Sequence, residues 1–272
     1  MLARPALAIA ALAVAAAVLV ARPASAQAGD AAAHIALGDR AHAAMQADSA
    51  LAHYRAALAA DTSSYEALWK AAREAVDLGE VATGERQATL YAEALGYARR
   101  AVQANPTDAE GHFHLARALG RKALSLGKRE KVKYAGDVRT HALKALELDP
   151  NHAGAKHVMG MWNAEVMRLS GFERWAARNL LGGKVLGEAS WGNAVRYLQD
   201  ATATEPGRII HHLDLAEIYR DAPTDAKGVP ADARSRAAAE FENVLRATPT
   251  DPNDRFYQER ARRELEAMRK AA

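Results

Sequence analysis

The 272-residue chain contains no cysteine. That excludes disulfides, thiolate catalysis, cysteine-ligated zinc or iron–sulfur centres, and the cysteine that anchors a bacterial lipoprotein. Aromatic residues are scarce too, at 6%, and clusters of β-branched residues are few, so a sheet-based core is not expected. Half of the chain is nevertheless hydrophobic, much of it alanine, whose small side chain lets helices approach closely. The composition predicts an all-α protein.

Long apolar runs are missing except at the start. Arg4 precedes the unbroken stretch Ala6–Ala21, and Ala24-Ser25-Ala26 offers a small-x-small cleavage pattern. Residues 1–26 therefore read as a signal peptide cleaved before Gln27, with an uncleaved N-terminal anchor as the alternative. The run is short for a membrane span and no second one follows. The expected product is a periplasmic or secreted chain with no transmembrane span after cleavage. Cleavage removes Arg4 and Arg22 but no acid, which brings the net charge from +3 to +1. A nucleic-acid partner would call for a more basic chain.

What is present is a repeat. Pro106, Pro150, Pro206 and Pro249 each follow a helical pattern, and Ala59–Thr62 fills the same place without proline; proline cannot donate the next helical hydrogen bond. Upstream of each end stand small and bulky residues at fixed offsets: Ala50, Tyr54, Ala57; Ala94, Ala98, Ala101; Val138, Ala142, Ala145; Ala194, Leu198, Ala201; and Ala237, Phe241, Val244. Partner positions on the first helices are Leu37-Gly38, Leu115-Ala116, Met159-Gly160 and Leu215-Ala216. This is the tetratricopeptide pattern. It predicts an α-α superhelix of about five helical hairpins, filling residues 27–272, with Asp254–Lys270 as a capping helix.

The prolines lie 44, 56 and 43 residues apart, and the fourth unit, 153–206, is the most enlarged. It holds three of the four tryptophans: Trp162, Trp175 and Trp191. The stripe Met159, Trp162, Val166, Leu169, Phe172, Ala176, Leu180 keeps helical spacing, so one helix is expected from about Ala153 to Leu181. Ser170-Gly171 is its expected kink, and Gly182–Ser190 a flexible connection. Trp162 falls in the stripe as a core residue. Trp175 falls beside it, next to Arg174 and Arg178, which stand one turn apart and could hold a phosphate or carboxylate. The candidate ligand-binding residues are Arg168, Phe172, Arg174, Trp175, Arg178 and Trp191; Gly160, Trp162 and Pro206 are expected to be structural.

Residues His157–Asp221 resemble the tetratricopeptide-like domain of the regulator of microtubule dynamics family, as an exported bacterial-type relative. The resemblance rests on Gly160 and Trp162, the step Phe172-Glu173-Arg174, Leu181-Gly182, and Ala194, Leu198 and Pro206. It implies association with microtubules and binding of phospholipids in a helical groove.

Chemical motifs are missing as well. There is no His-Glu-x-x-His, phosphate loop or Gly-x-Ser-x-Gly. His112 and His114 point to different helix faces, and His211 and His212 also diverge. No catalytic residue, cofactor or metal site is expected. Residues 117–144 carry nine Lys/Arg against Glu130 and Asp137, either a solvated loop or an attraction to anionic headgroups or an acidic partner. The expected function is a non-catalytic binding or scaffold protein whose superhelical groove takes a protein or peptide partner. The alternative is a carrier of phospholipid, anionic phospholipid included, or of another apolar ligand.

Overall fold

The computed structural model of the chain describes residues 24–126, 128–180 and 184–270. The expected signal peptide lies outside them except for its last three residues, and Leu181-Gly182 of the family pattern lies outside them entirely. Among the described residues there is no strand. Helices α1 (Ala24–Ala43) and α2 (Ala47–Ala60) form the first hairpin, α3 (Tyr65–Val81) and α4 (Gly84–Ala104) the second, and α5 (Ala109–Leu124) and α6 (Lys128–Leu148) the third. The fourth pairs α7 (Ala153–Arg168) with α9 (Trp191–Thr204). Between them come α8 (Gly171–Leu180) and a 3-10 turn, Lys184–Glu188. Helices α10 (Ile209–Asp221) and α11 (Ala233–Arg246) form the fifth hairpin, and α12 (Asp254–Lys270) packs on both.

The hairpins close because glycines on the first helices face bulky residues on the second. A Cβ on Gly38 would come within 2.4 Å of the Tyr54 ring, and one on Gly79 within 2.5 Å of the Tyr91 ring. One on Gly160 would come within 1.6 Å of Leu198 Cδ2. Side chains at these glycines would push the helices apart. Polar caps fix several helix starts: the Asp108 carboxylate accepts the Glu110 N–H at 2.9 Å, and Ser190 Oγ accepts that of Asn193 at 3.1 Å. Such caps satisfy donors that have no partner within the helix.

The fourth hairpin departs from the expected single long helix. The chain breaks at Leu169-Ser170, and α8 starts afresh with a reciprocal cap. Ser170 Oγ accepts the Glu173 N–H at 3.2 Å, while the Glu173 carboxylate accepts the Ser170 N–H at 2.9 Å. That is a capping box, which favours a new helix start over a kink. The described part of the connection to α9 is docked, not loose. Leu186 is buried, Glu188 pairs with Arg139, and the Ser190 N–H donates to the buried Asn163 side chain at 3.1 Å.

The first helices α3, α5, α7 and α10 pack in succession and line the concave face. The chain's own C-terminal part crosses that face. The Asn253 amide donates to the Asp77 carbonyl at 2.8 Å, and the Tyr257 hydroxyl donates to the Glu80 carboxylate.

Candidate functional site

An apolar cavity of about 300 Å³ opens among α5, α6 and α7. Its walls include Leu124, Val132, Val138, Met161, Trp162 and Val166, with Leu186 of the 3-10 turn also lining it. Space exists there because small residues line it: Ala116 and Gly120 on α5, and Ala135 on α6. Apart from its chain neighbours and its own helix backbone, no atom stands within 4 Å of where a Gly120 Cβ would be. Trp162 is only 6% exposed, and its indole N–H donates to the Ala135 carbonyl at 2.8 Å, with the Arg139 guanidinium over its ring. The ring therefore serves core and cavity together, held at one angle.

Charged groups frame the apolar walls. Arg168 is bound to Asp221 at 2.7 Å and to Glu165 at 2.7 Å. Arg121 reaches Glu80 at 3.0 Å, while Arg117 pairs with both Asp77 and Glu80. Burial works against the Glu80 charge, but Arg121 and Arg117 outweigh it and hold its pKa below the usual carboxylate value. Asp77 goes the other way: burial pushes it up to about 6 in spite of Arg117. Lys131, half-exposed on α6, lines the cavity with no acidic partner among the described residues.

Arg117, Arg121 and His157 also line a second cavity of about 250 Å³ on the concave face. Its wall is polar and apolar in near-equal parts, and it lies toward the other ends of the hairpins. His157 Nε2–H donates to Asp214 at 2.7 Å, and its ring stands 5.0 Å from that of His211. His114, Trp69 and Tyr257 contribute the aromatic surface. Among the described residues no group of three or more metal-binding side chains is assembled.

The structure disperses the six candidate ligand residues. Arg168 lines the apolar cavity. Trp191 does not: it is buried against Ala164, Val195 and Leu215 in a separate core cluster. Arg174 turns back, and its guanidinium donates to the Met167 and Leu169 carbonyls at 2.8 and 2.9 Å. Those acceptors are exposed by the break after α7, so the side chain is drawn to them and not to Arg178. The Arg178 guanidinium instead lies against Gly187, so the two arginines turn to different partners. Phe172 and Trp175 stack on each other at the surface, 6.0 Å apart. Gly160 and Trp162 are packed as expected, and the Pro206 carbonyl accepts from His212 at 2.9 Å. Several wall residues, Trp162, Val166 and Leu169, stand in the apolar stripe of the sequence, but only the small residues on α5 signal the space between the helices.

Comparisons with known proteins agree with this architecture. The family model described as regulator of microtubule dynamics protein 1-3 matches residues 34–269. Over 122 residues the chain is 30% identical to regulator of microtubule dynamics protein 1 of Bos taurus, covering 44% of this chain and 38% of that protein. Over 143 residues it is 27% identical to the Mus musculus protein of the same name, covering 52% and 46%. The match thus spans less than half of each relative. A thermophilic TPR protein of Thermus thermophilus superposes with a TM-score of 0.56 at 22% identity, over 85% of this chain and 98% of that one. The fold is a tetratricopeptide-type helical repeat scaffold. Among the described residues no helix is long and apolar enough to cross a membrane.

Proposed function

The chain belongs to the regulator of microtubule dynamics protein 1-3 family, and from that premise we propose that it is a non-catalytic binding protein. Its apolar cavity takes the hydrocarbon part of a small amphipathic ligand, such as a fatty acid or phospholipid. The observation that carries this is the cavity itself: apolar walls at the volume of a small-molecule site, with few polar groups at fixed places. Lys131 is available to an acidic headgroup. A peptide lying along the concave face would have to displace Tyr257 from Glu80; the cavity is open without that cost. The relatives are named for microtubule dynamics, whereas this role rests on the cavity. The apolar run at Ala6–Ala21 supports an extracytoplasmic location.

Native mass spectrometry of purified protein, repeated after organic extraction, tests the proposal. It expects an extra mass that extraction removes and that is identified as an acyl-chain compound. Protein that carries no such mass, and takes up none when offered palmitate or phosphatidylglycerol, would overturn it.

A further inference from the structure

Seven large apolar side chains are exposed among the described residues, and five of them stand at the turns between the first and second helices of hairpins. Because the first helices pack in succession, the turns from first to second helix fall on the same side of the superhelix. Met45 sits at the turn of the first hairpin, Val81 at the second and Leu124 at the third. Phe172 and Trp175 follow on α8, inside the enlarged turn of the fourth. Their exposures are the most unusual: 75% and 53%. Neither ring fills a gap in the protein, and the capping box and Arg174 hold α8 in place without them. A stacked aromatic pair left in water costs free energy unless something covers it.

Charge on this edge indicates what covers it. Arg178 is exposed on α8 and Lys184 on the 3-10 turn packed against it, while Lys133 is exposed and Lys131 half-exposed near the start of α6. Of the described acids nearby, Glu188 pairs with Arg139, Glu165 with Arg168, and Glu173 caps α8, while Asp137 is exposed four residues from Lys133. Aromatic rings on a short helix with lysine and arginine around them suit the interface of an anionic lipid bilayer, where rings enter the headgroup region and cations meet phosphate. The apolar cavity opens toward this same edge, since Leu124, Lys131 and Glu173 all line it.

We propose that α8, through Phe172 and Trp175, docks the protein on an anionic membrane surface, with the edge of hairpin turns facing the lipid. This goes beyond ligand binding in the cavity, because surface docking needs no occupied cavity.

Co-sedimentation with phosphatidylcholine vesicles, with and without phosphatidylglycerol, tests the docking. Phe172→Ser/Trp175→Ser is compared with the parent protein, and residues 1–26 are identical in both, so any difference reports α8. The parent is expected to sediment with phosphatidylglycerol vesicles, less so at high salt, and the double variant to bind at least about tenfold more weakly. Its melting temperature and its uptake of a fatty-acid probe should stay the same, which separates failure of docking from failure of the cavity. No binding to anionic vesicles, or equal binding by the variant, overturns the proposal. So does a dimer in sedimentation equilibrium that the double variant dissolves, since a second copy would then cover the rings.

Discussion

The Asn253 side-chain amide donates at 2.8 Å to the backbone carbonyl of Asp77, a residue 176 positions earlier. This bond and the neighbouring Tyr257–Glu80 contact join the last helix to the second hairpin across the concave face. They turn an open repeat array, in which each unit touches only its neighbours, into one with a long-range closure.

Tyr257→Phe removes a buried hydrogen bond to a carboxylate and should cost about 1.5–3 kcal/mol. Urea unfolding measures the loss. Hydrogen exchange should show amides of α12 opening faster, and those facing it on α3 as well. Unchanged stability would mean that the closure contributes nothing.

Gly160 and Leu198 make a second pair. Gly160→Ala drives a Cβ to within 1.6 Å of Leu198 Cδ2 and 3.3 Å of the Ala194 carbonyl. Overpacking of this kind costs about 1–3 kcal/mol, and the helix preference of alanine offsets about 1. Leu198→Ala makes room, so the double variant should lose less than the sum of the two single losses. Additive losses would place the strain elsewhere.

His114 gives a pH prediction. Burial lowers its pKa to about 4, from an ordinary value of 6.5, although Glu110 stands 3.3 Å away. The folded state therefore stays neutral where the unfolded state takes up a proton. The stability held above pH 6.5 is lost as the pH falls toward 4. His114→Gln should flatten the fall over that window by on the order of 3 kcal/mol. Denaturant unfolding at several pH values measures it, and parallel curves for the two proteins would contradict the assignment.

The hairpins were legible because the pattern that builds them is local: a small residue facing a bulky one, then proline. Tyr54 against Gly38 and Leu198 against Gly160 could be read as spacings. Gly79 escaped because its partner is Tyr91 and not the residue at the repeat position. The α7–α8 break was hidden by an apolar stripe that runs on through Phe172, although Ser170 and Glu173 already spelled a capping box. In the structure that stripe leaves the core at the break, which is why Phe172 is exposed. The same break explains where Arg174 goes, since it creates the Met167 and Leu169 carbonyls that take its guanidinium. Of the cavity, the sequence showed wall residues such as Trp162 and Arg168 but not the space between them. That space is made by what Ala116, Gly120 and Ala135 leave unfilled, and periodicity records bulk, not its absence.

Export is tested at the N-terminus. Protein recovered from an expressing bacterium should begin at Gln27 and be found outside the cytoplasm. A cytoplasmic chain that retains Met1 would contradict the leader reading.

The central claim, that the cavity is a binding site, is tested most directly by filling it. Gly120→Leu adds a side chain where, apart from its chain neighbours and its own helix backbone, no atom stands within 4 Å, in the middle of a helix that gains from losing glycine. The measurement is a fluorescence titration with cis-parinaric acid, an apolar chain bearing a carboxylate. The parent protein should bind the probe saturably, and Gly120→Leu should bind it at least about tenfold more weakly, while melting no earlier than the parent. Equal binding by the two proteins, or no binding by either, would contradict the account.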